Sequence, residues 1–145
     1  MNFFSALRIS ASGMSAQRLR MNVATSNLAN IHTTRTRQGG PYRRKDVVFE
    51  SQPLPGSFRN TLRSAMARNM MGVKATGIIE DPRPPISKYD PQHPDADPKG
   101  YIRVPRINLM EEMVNMMSAT RSYEANVTAI KATKDMAMKA LEIGR

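Results

Sequence analysis

Residues 108–144, NLMEEMVNMMSATRSYEANVTAIKATKDMAMKALEIG, decide the fold class. No proline interrupts them, and Pro105 stands shortly before. Alternating steps of 4 and 3 select Leu109, Met113, Met116, Thr120, Tyr123, Val127, Ile130, Lys134, Ala137 and Leu141, eight of ten apolar. That spacing predicts an amphipathic helix with a coiled-coil-like seam. Asn108 can accept a bond from a free backbone N–H at the helix start, and Glu111 stands in the capping-box position. Glu111 and Glu112 come first and Lys131, Lys134 and Lys139 come late, the order that the helix dipole favours. Gly144 supplies a stop. At 1.5 Å per residue such a helix spans roughly 50 Å. Met110 and Met117 widen the seam into a broader face, which suits contact with more than one helix.

Working outward, all ten prolines lie between Pro41 and Pro105, so a second proline-free flank covers the first forty residues. There a 3-4 spacing picks out Phe4, Leu7, Ala11, Met14, Arg18, Met21, Thr25 and Leu28, six of eight apolar. A helix capped by Asn2 and ending near Asn30 follows, roughly 40 Å long. Between the flanks, Asp46–Glu50, Val73–Glu80 and Gly100–Val104 read as short strands. Gly39-Gly40-Pro41, Pro53–Gly56 and the stretch from Pro82 to Pro98 read as turns and loops, and Arg59–Met71 as a short helix. The expected class is mainly α: long terminal helices and a small, Pro-rich, β-containing middle. The middle has too little apolar area to cover both helices, so intermolecular packing of the seams into a coiled-coil-like bundle is at least as favoured as packing within one chain.

The 145 residues carry a net charge of +10. Residues 1–74 hold 12 basic and 2 acidic residues, and residues 75–145 hold 10 of each, so the whole excess sits in the first half. Leu, Ile, Val and Phe together number only 27, close to the composition at which chains stay disordered, although 12 Met supply flexible packing volume. With no Cys and two His, thiolate chemistry, disulfides and a His-based metal site are excluded or disfavoured. No stretch is long and apolar enough for a membrane span. Phe3–Leu7 is broken by Arg8, so no cleaved secretory signal is expected. His93–Gly100 gathers one His and two Asp but reads as a proline-fixed turn, lacking the remainder of a calcium loop. No nucleophile elbow or phosphate loop occurs, and no cofactor, metal or small-molecule substrate is expected. Arg35, Arg37, Arg43, Arg44 and Lys45 form a basic contact patch for an anionic partner. The alternative function is a basic nucleic-acid-binding protein with steeply salt-dependent affinity.

A resemblance joins these observations. The runs Asn22–Asn30 and Glu112–Asn126 are similar to the N- and C-terminal signatures of bacterial flagellar rod and hook axial proteins. The middle motifs Gly39–Phe49, Glu80-Asp81-Pro82 and Tyr89–Tyr101 resemble the proximal-rod members of that family. After Asn30 many relatives carry a Thr-Pro-Gly-Tyr turn, where this chain reads Ile31-His32-Thr33-Thr34-Arg35-Thr36; residues 57–72 match no family motif. The resemblance implies a non-enzymatic structural subunit of the rod that spans the periplasm. Its expected parts are an N-terminal axial helix (1–30), a middle segment (31–106) and a C-terminal axial helix (107–145). Its expected partners are further copies of itself, proximal- and distal-rod proteins, a basal-body adaptor and the type III export apparatus. The expected subunit interface comprises Leu7, Met14, Met21, Asn27, Leu28, Asn30, Met113, Met116, Tyr123, Val127 and Ile130.

Overall fold

The computed structural model describes residues 3–53 and 71–144. Two long helices and two short hairpins make up the described chain. Helix α1 runs Phe3–Ala29, strands β1 and β2 run Lys45–Pro53 and Met71–Glu80, β3 and β4 run Ile86–Tyr89 and Tyr101–Val104, and α2 runs Leu109–Ile143. The expected cap Asn2 and the short helix read over Arg59–Met71 lie outside the described residues, except Met71, which opens β2. Neither long helix is apolar enough to cross a membrane.

Asn108 caps α2 as expected, its Oδ1 accepting the Met110 N–H at 3.0 Å. The reciprocal half of the capping box is absent: among the described residues Glu111 returns no bond to Asn108. At the other end α2 stops before Gly144, whose φ of −83° makes no use of glycine's left-handed freedom. Helix α1 ends where the Asn30 side chain turns back and donates to Ser26 O at 2.8 Å, satisfying a last-turn carbonyl.

The helices are antiparallel, because Asn27 meets Glu112 while Gly13 meets Asn126. The residues buried between them are not those the 3-4 spacing selected. On α1 they are Ala16, Ala24 and Asn27; on α2 they are Glu112 and Ala119. Gly13 also belongs to this line, since a Cβ there would stand 3.0 Å from Asn126 Oδ1. Relative to the expected seam, Met14, Met21, Thr25, Leu28, Met113 and Thr120 give way to Gly13, Arg20, Ala24, Asn27, Glu112 and Ala119. Each helix is thus turned by about one residue, roughly 100°. Small residues at the line of closest approach let the backbones come near, and the longer Met and Leu side chains flank it. Leu7, Met14, Met21, Leu28, Met116, Tyr123, Val127 and Ile130 are half-buried there, and Met113 is exposed.

β1 and β2 form an antiparallel pair with a bulge between Val48 and Phe49. This hairpin leans on α1, where Ser12 Oγ accepts the Val73 N–H at 3.1 Å and itself donates to Ile9 O at 2.7 Å. β3 and β4 make a second antiparallel pair, closed by the T-shaped rings of Tyr89 and Tyr101 at 5.3 Å. β3 was absent from the expected strands: its four residues lie among prolines that mark the region as loop. Gly100 returns the chain with φ +78°, and a Cβ there would stand 2.9 Å from the Tyr89 ring.

Candidate functional site

Among the described residues the largest fully buried side chains are polar. Asn27 is 1% exposed and Glu112 2% exposed, and they meet between the C-terminal end of α1 and the first turn of α2. Asn27 Nδ2 donates to Glu112 Oε2 at 3.0 Å and to Lys45 O at 2.8 Å. Its Oδ1 accepts the Lys45 N–H at 2.9 Å and the Tyr42 hydroxyl at 3.1 Å. All four hydrogen-bonding places of the amide are filled, which fixes its orientation. Two of those bonds imitate a strand neighbour to Lys45, so Asn27 extends the β1 ladder onto α1.

Glu112 Oε1 accepts Arg44 Nε at 2.6 Å, so the carboxylate has a charged and an amide donor on its two oxygens. Burial by itself would depress the Arg44 pKa. The hydrogen bond and charge of Glu112, helped by Asp46, outweigh that and raise it above its ordinary value. A buried carboxylate without a partner carries a large desolvation cost, and removing one member of such a pair costs about 3–5 kcal/mol. A neighbouring bond from Arg20 Nη2 to Asn115 Oδ1, 3.0 Å, crosses the same pair of helices. Chemically the node is a clamp: it joins α1, β1 and α2 at one point and has no free nucleophile, acid or base. Among the described residues no cluster of three or more His, Asp or Glu is placed to hold a metal.

The expected site residues separate into three groups. Asn27 and Asn30 make their bonds within the chain, the latter to Ser26 O and the Thr33 hydroxyl. Arg44 is taken by Glu112, while Lys45 pairs with Glu80 at 3.8 Å and lies 5.8 Å from the centre of the Tyr42 ring. Arg35, Arg37 and Arg43 are exposed. The run from Arg35 to Lys45 is therefore not one continuous cationic strip. The sequence does not mark Glu112 and Tyr42 as site residues: Glu112 reads only as helix-start charge, and only a seam traced through Ala119 and Asn126 places it inside.

Outside the node, α2 carries an uncovered apolar face. Met110 is 66% and Val114 61% exposed, and Leu109, Met113 and Met117 lie beside them. Further along, Met136, Met138, Leu141 and Ile143 are exposed as well.

A family model described as "Flagella basal body rod protein" matches residues 7–35, and one described as "Flagellar basal body rod FlgEFG protein C-terminal" matches residues 99–143. The flagellar basal-body rod protein FlgC of Bacillus subtilis (strain 168) is 48% identical over 100% of this chain and 100% of its own length. The chain belongs to the FlgC family of flagellar basal-body rod proteins. FlgC of Borreliella burgdorferi is 42% identical over 99% of this chain and 98% of its own. FlgC of Escherichia coli O6:H1 is 41% identical over 94% of each. The two matched stretches contain most of α1 and all of α2, and the node joins them: Asn27 falls in one and Glu112 in the other. Membership in the FlgC family makes the chain a structural component of the basal-body rod, and nothing in the comparisons favours a nucleic-acid-binding role.

Proposed function

We propose that this rod subunit completes its packing only in the polymer: the α1–α2 pair is registered by the node, and the exposed apolar face of α2 is covered by neighbouring rod subunits. The single observation that carries the reading is that face. Large apolar side chains along α2 stand in solvent while the helix buries only Glu112 and Ala119. Burying a Val or Met side chain is worth about 1.5–3 kcal/mol, so the face represents a substantial driving force for association. In this reading residues 1–30 and 107–145 are the axial parts that form an intermolecular bundle, and residues 31–106 form the middle segment. The partners are other copies and other rod proteins of the proximal and distal rod, with a basal-body adaptor at its root. The type III export apparatus is the route of delivery. Family membership supports these roles, and half-buried Met21, Met116 and Tyr123 give the flanks of the seam apolar area for a third helix.

Val114→Asp tests the proposal. Val114 is exposed, so the isolated chain should keep its stability within about 0.5 kcal/mol. Rod assembly, scored by electron microscopy of basal bodies and by swimming, should be lost. Normal basal bodies containing the variant would refute the assignment of this face.

A further inference from the structure

The β3–β4 hairpin carries opposite charge at its two ends. At its base, Arg43, Arg44, Arg83 and Arg106 line a shallow recess open to solvent, with Tyr42, Asp81 and Pro85. Two of its walls are locked together, because the Asp81 N–H donates to Arg44 O at 2.8 Å. Arg44 is held by Glu112, and Arg83 Nε is held by both carboxylate oxygens of Asp81 at 2.9 Å. Arg43 and Arg106 are exposed and make no ion pair or side-chain hydrogen bond among the described residues. The recess therefore presents two guanidinium groups without a direct partner among the described residues, with Asp81 on its rim and the Glu111 carboxylate near enough to act on Arg83, whose Nη1 makes no bond. Planar guanidinium groups in such numbers match carboxylate oxygens.

At the hairpin's tip the loop from Asp90 to Gly100 holds Asp90, Asp95 and Asp97. Its shape is set from within. The Asp90 N–H donates to Gly100 O at 2.9 Å, the Ala96 N–H to His93 O at 3.0 Å and the Gly100 N–H to Asp97 O at 2.7 Å. Asp95 Oδ2 also accepts the Thr34 hydroxyl at 2.7 Å, fastening the loop to the turn after α1. Asp97 is exposed, and its carboxylate has no hydrogen-bond partner among the described residues. The four residues of β3 separate tip from base by roughly 13 Å of extended strand. Among the described residues none of Asp90, Asp95 and Asp97 forms an ion pair with an Arg of the recess in its own chain.

We infer that the recess of Arg43, Arg83 and Arg106 receives the acidic loop Asp90–Asp97 of a second copy, with the Asp97 carboxylate as the leading group. Plug and socket occupy different patches, so the contact is heterologous and propagates from copy to copy as a ring or helical row. It rests on the reading of the chain as an assembling rod subunit, and it adds to the apolar face a polar contact that sets which copies meet.

The chain has no cysteine, so introduced pairs report without background. In a strain lacking the native gene, Arg106→Cys and Asp97→Cys are introduced singly and together, and isolated basal bodies are treated with a short bismaleimide. A ladder of linked copies from the double variant, absent from both singles, is the expected result; rods without a ladder would overturn the inference. Charge reversal gives a second readout. Arg106→Asp and Asp97→Arg should each lower the number of rod-bearing basal bodies at least about tenfold, and their combination should restore most of it. Singles that assemble normally, or a pair that fails to rescue them, would equally overturn it. The wild-type gene serves as the control for the rod reading: if it restores no rods, that reading fails, whereas rods from wild type and from every variant without linkage sink only the plug and socket.

Discussion

The two ends of the α1–α2 pair are held by different chemistry. Near Asn27 and Glu112 the helices are joined by buried, directional bonds that also reach β1 through Arg44 and Lys45. Toward Gly13 and Asn126 they meet through small side chains; beyond, α2 ends in exposed Met138, Leu141 and Ile143, the last 87% exposed. Directional bonds tolerate one register and cost several kcal/mol when one partner is lost. Apolar contact is indifferent to direction and is readily completed by another molecule. A subunit built this way has its internal register fixed at one end while the other end remains open to neighbours.

The largest test of this contrast is Glu112→Ala, which leaves Arg44 and Asn27 facing an emptied, water-poor site. It should lower stability by about 3–5 kcal/mol in urea denaturation. Amide exchange should show the difference without mutation: N–H groups near residues 20–29 and 112–119 should exchange at least about tenfold more slowly than those near 3–10 and 134–143. Equal rates would mean that the node does not set local stability. Gly13→Ala is a smaller effect with two opposing parts. The alanine gains about 1 kcal/mol of helix propensity, but its Cβ meets the Asn126 amide at 3.0 Å. Alone it should change the thermal midpoint little; combined with Asn126→Ala it should raise it.

The smallest effect sits on the rim of the base. The hydrogen bonds from the Arg83 side chain and backbone N–H hold the Asp81 carboxyl down at about 2, from an ordinary 3.8. A carboxyl whose pKa is lowered by folding contributes stability above its unfolded value. That contribution is present above pH 3.8 and is lost as pH falls toward 2. An NMR titration of Asp81 should show the low midpoint, and Arg83→Ala should return it toward the ordinary carboxylate range.

Much of this architecture was legible in the sequence. Proline placement marked both helices, Asn108 was recognised as a cap, and three of the four described strands were expected near their observed positions. Local rules suffice there, because capping and turn chemistry act over a few residues. The rotation of the seam was not legible. A 3-4 spacing rewards large apolar residues, whereas the line of closest approach is occupied by Gly13, Ala16, Ala24 and Ala119, which score poorly as hydrophobes. The node was hidden for a related reason. Asn27 and Glu112 gain their partners only when distant segments meet, and a lone Glu in a first helical turn is equally explained by the helix dipole. The resemblance to rod proteins pointed to the runs containing both residues without indicating that they touch.

The pairing of Asn27 with Glu112 spans 85 residues, and that of Met21 with Thr120 spans 99. Helical turns themselves form in well under about a microsecond, but contacts across such separations must wait for a long loop to close. High contact order slows folding. The first helix of this chain can meet Tyr42, Lys45 and the β1–β2 pair early, but it has no partner helix until almost all of the following sequence is available, and the time at which the two-helix core closes is governed by the last forty residues.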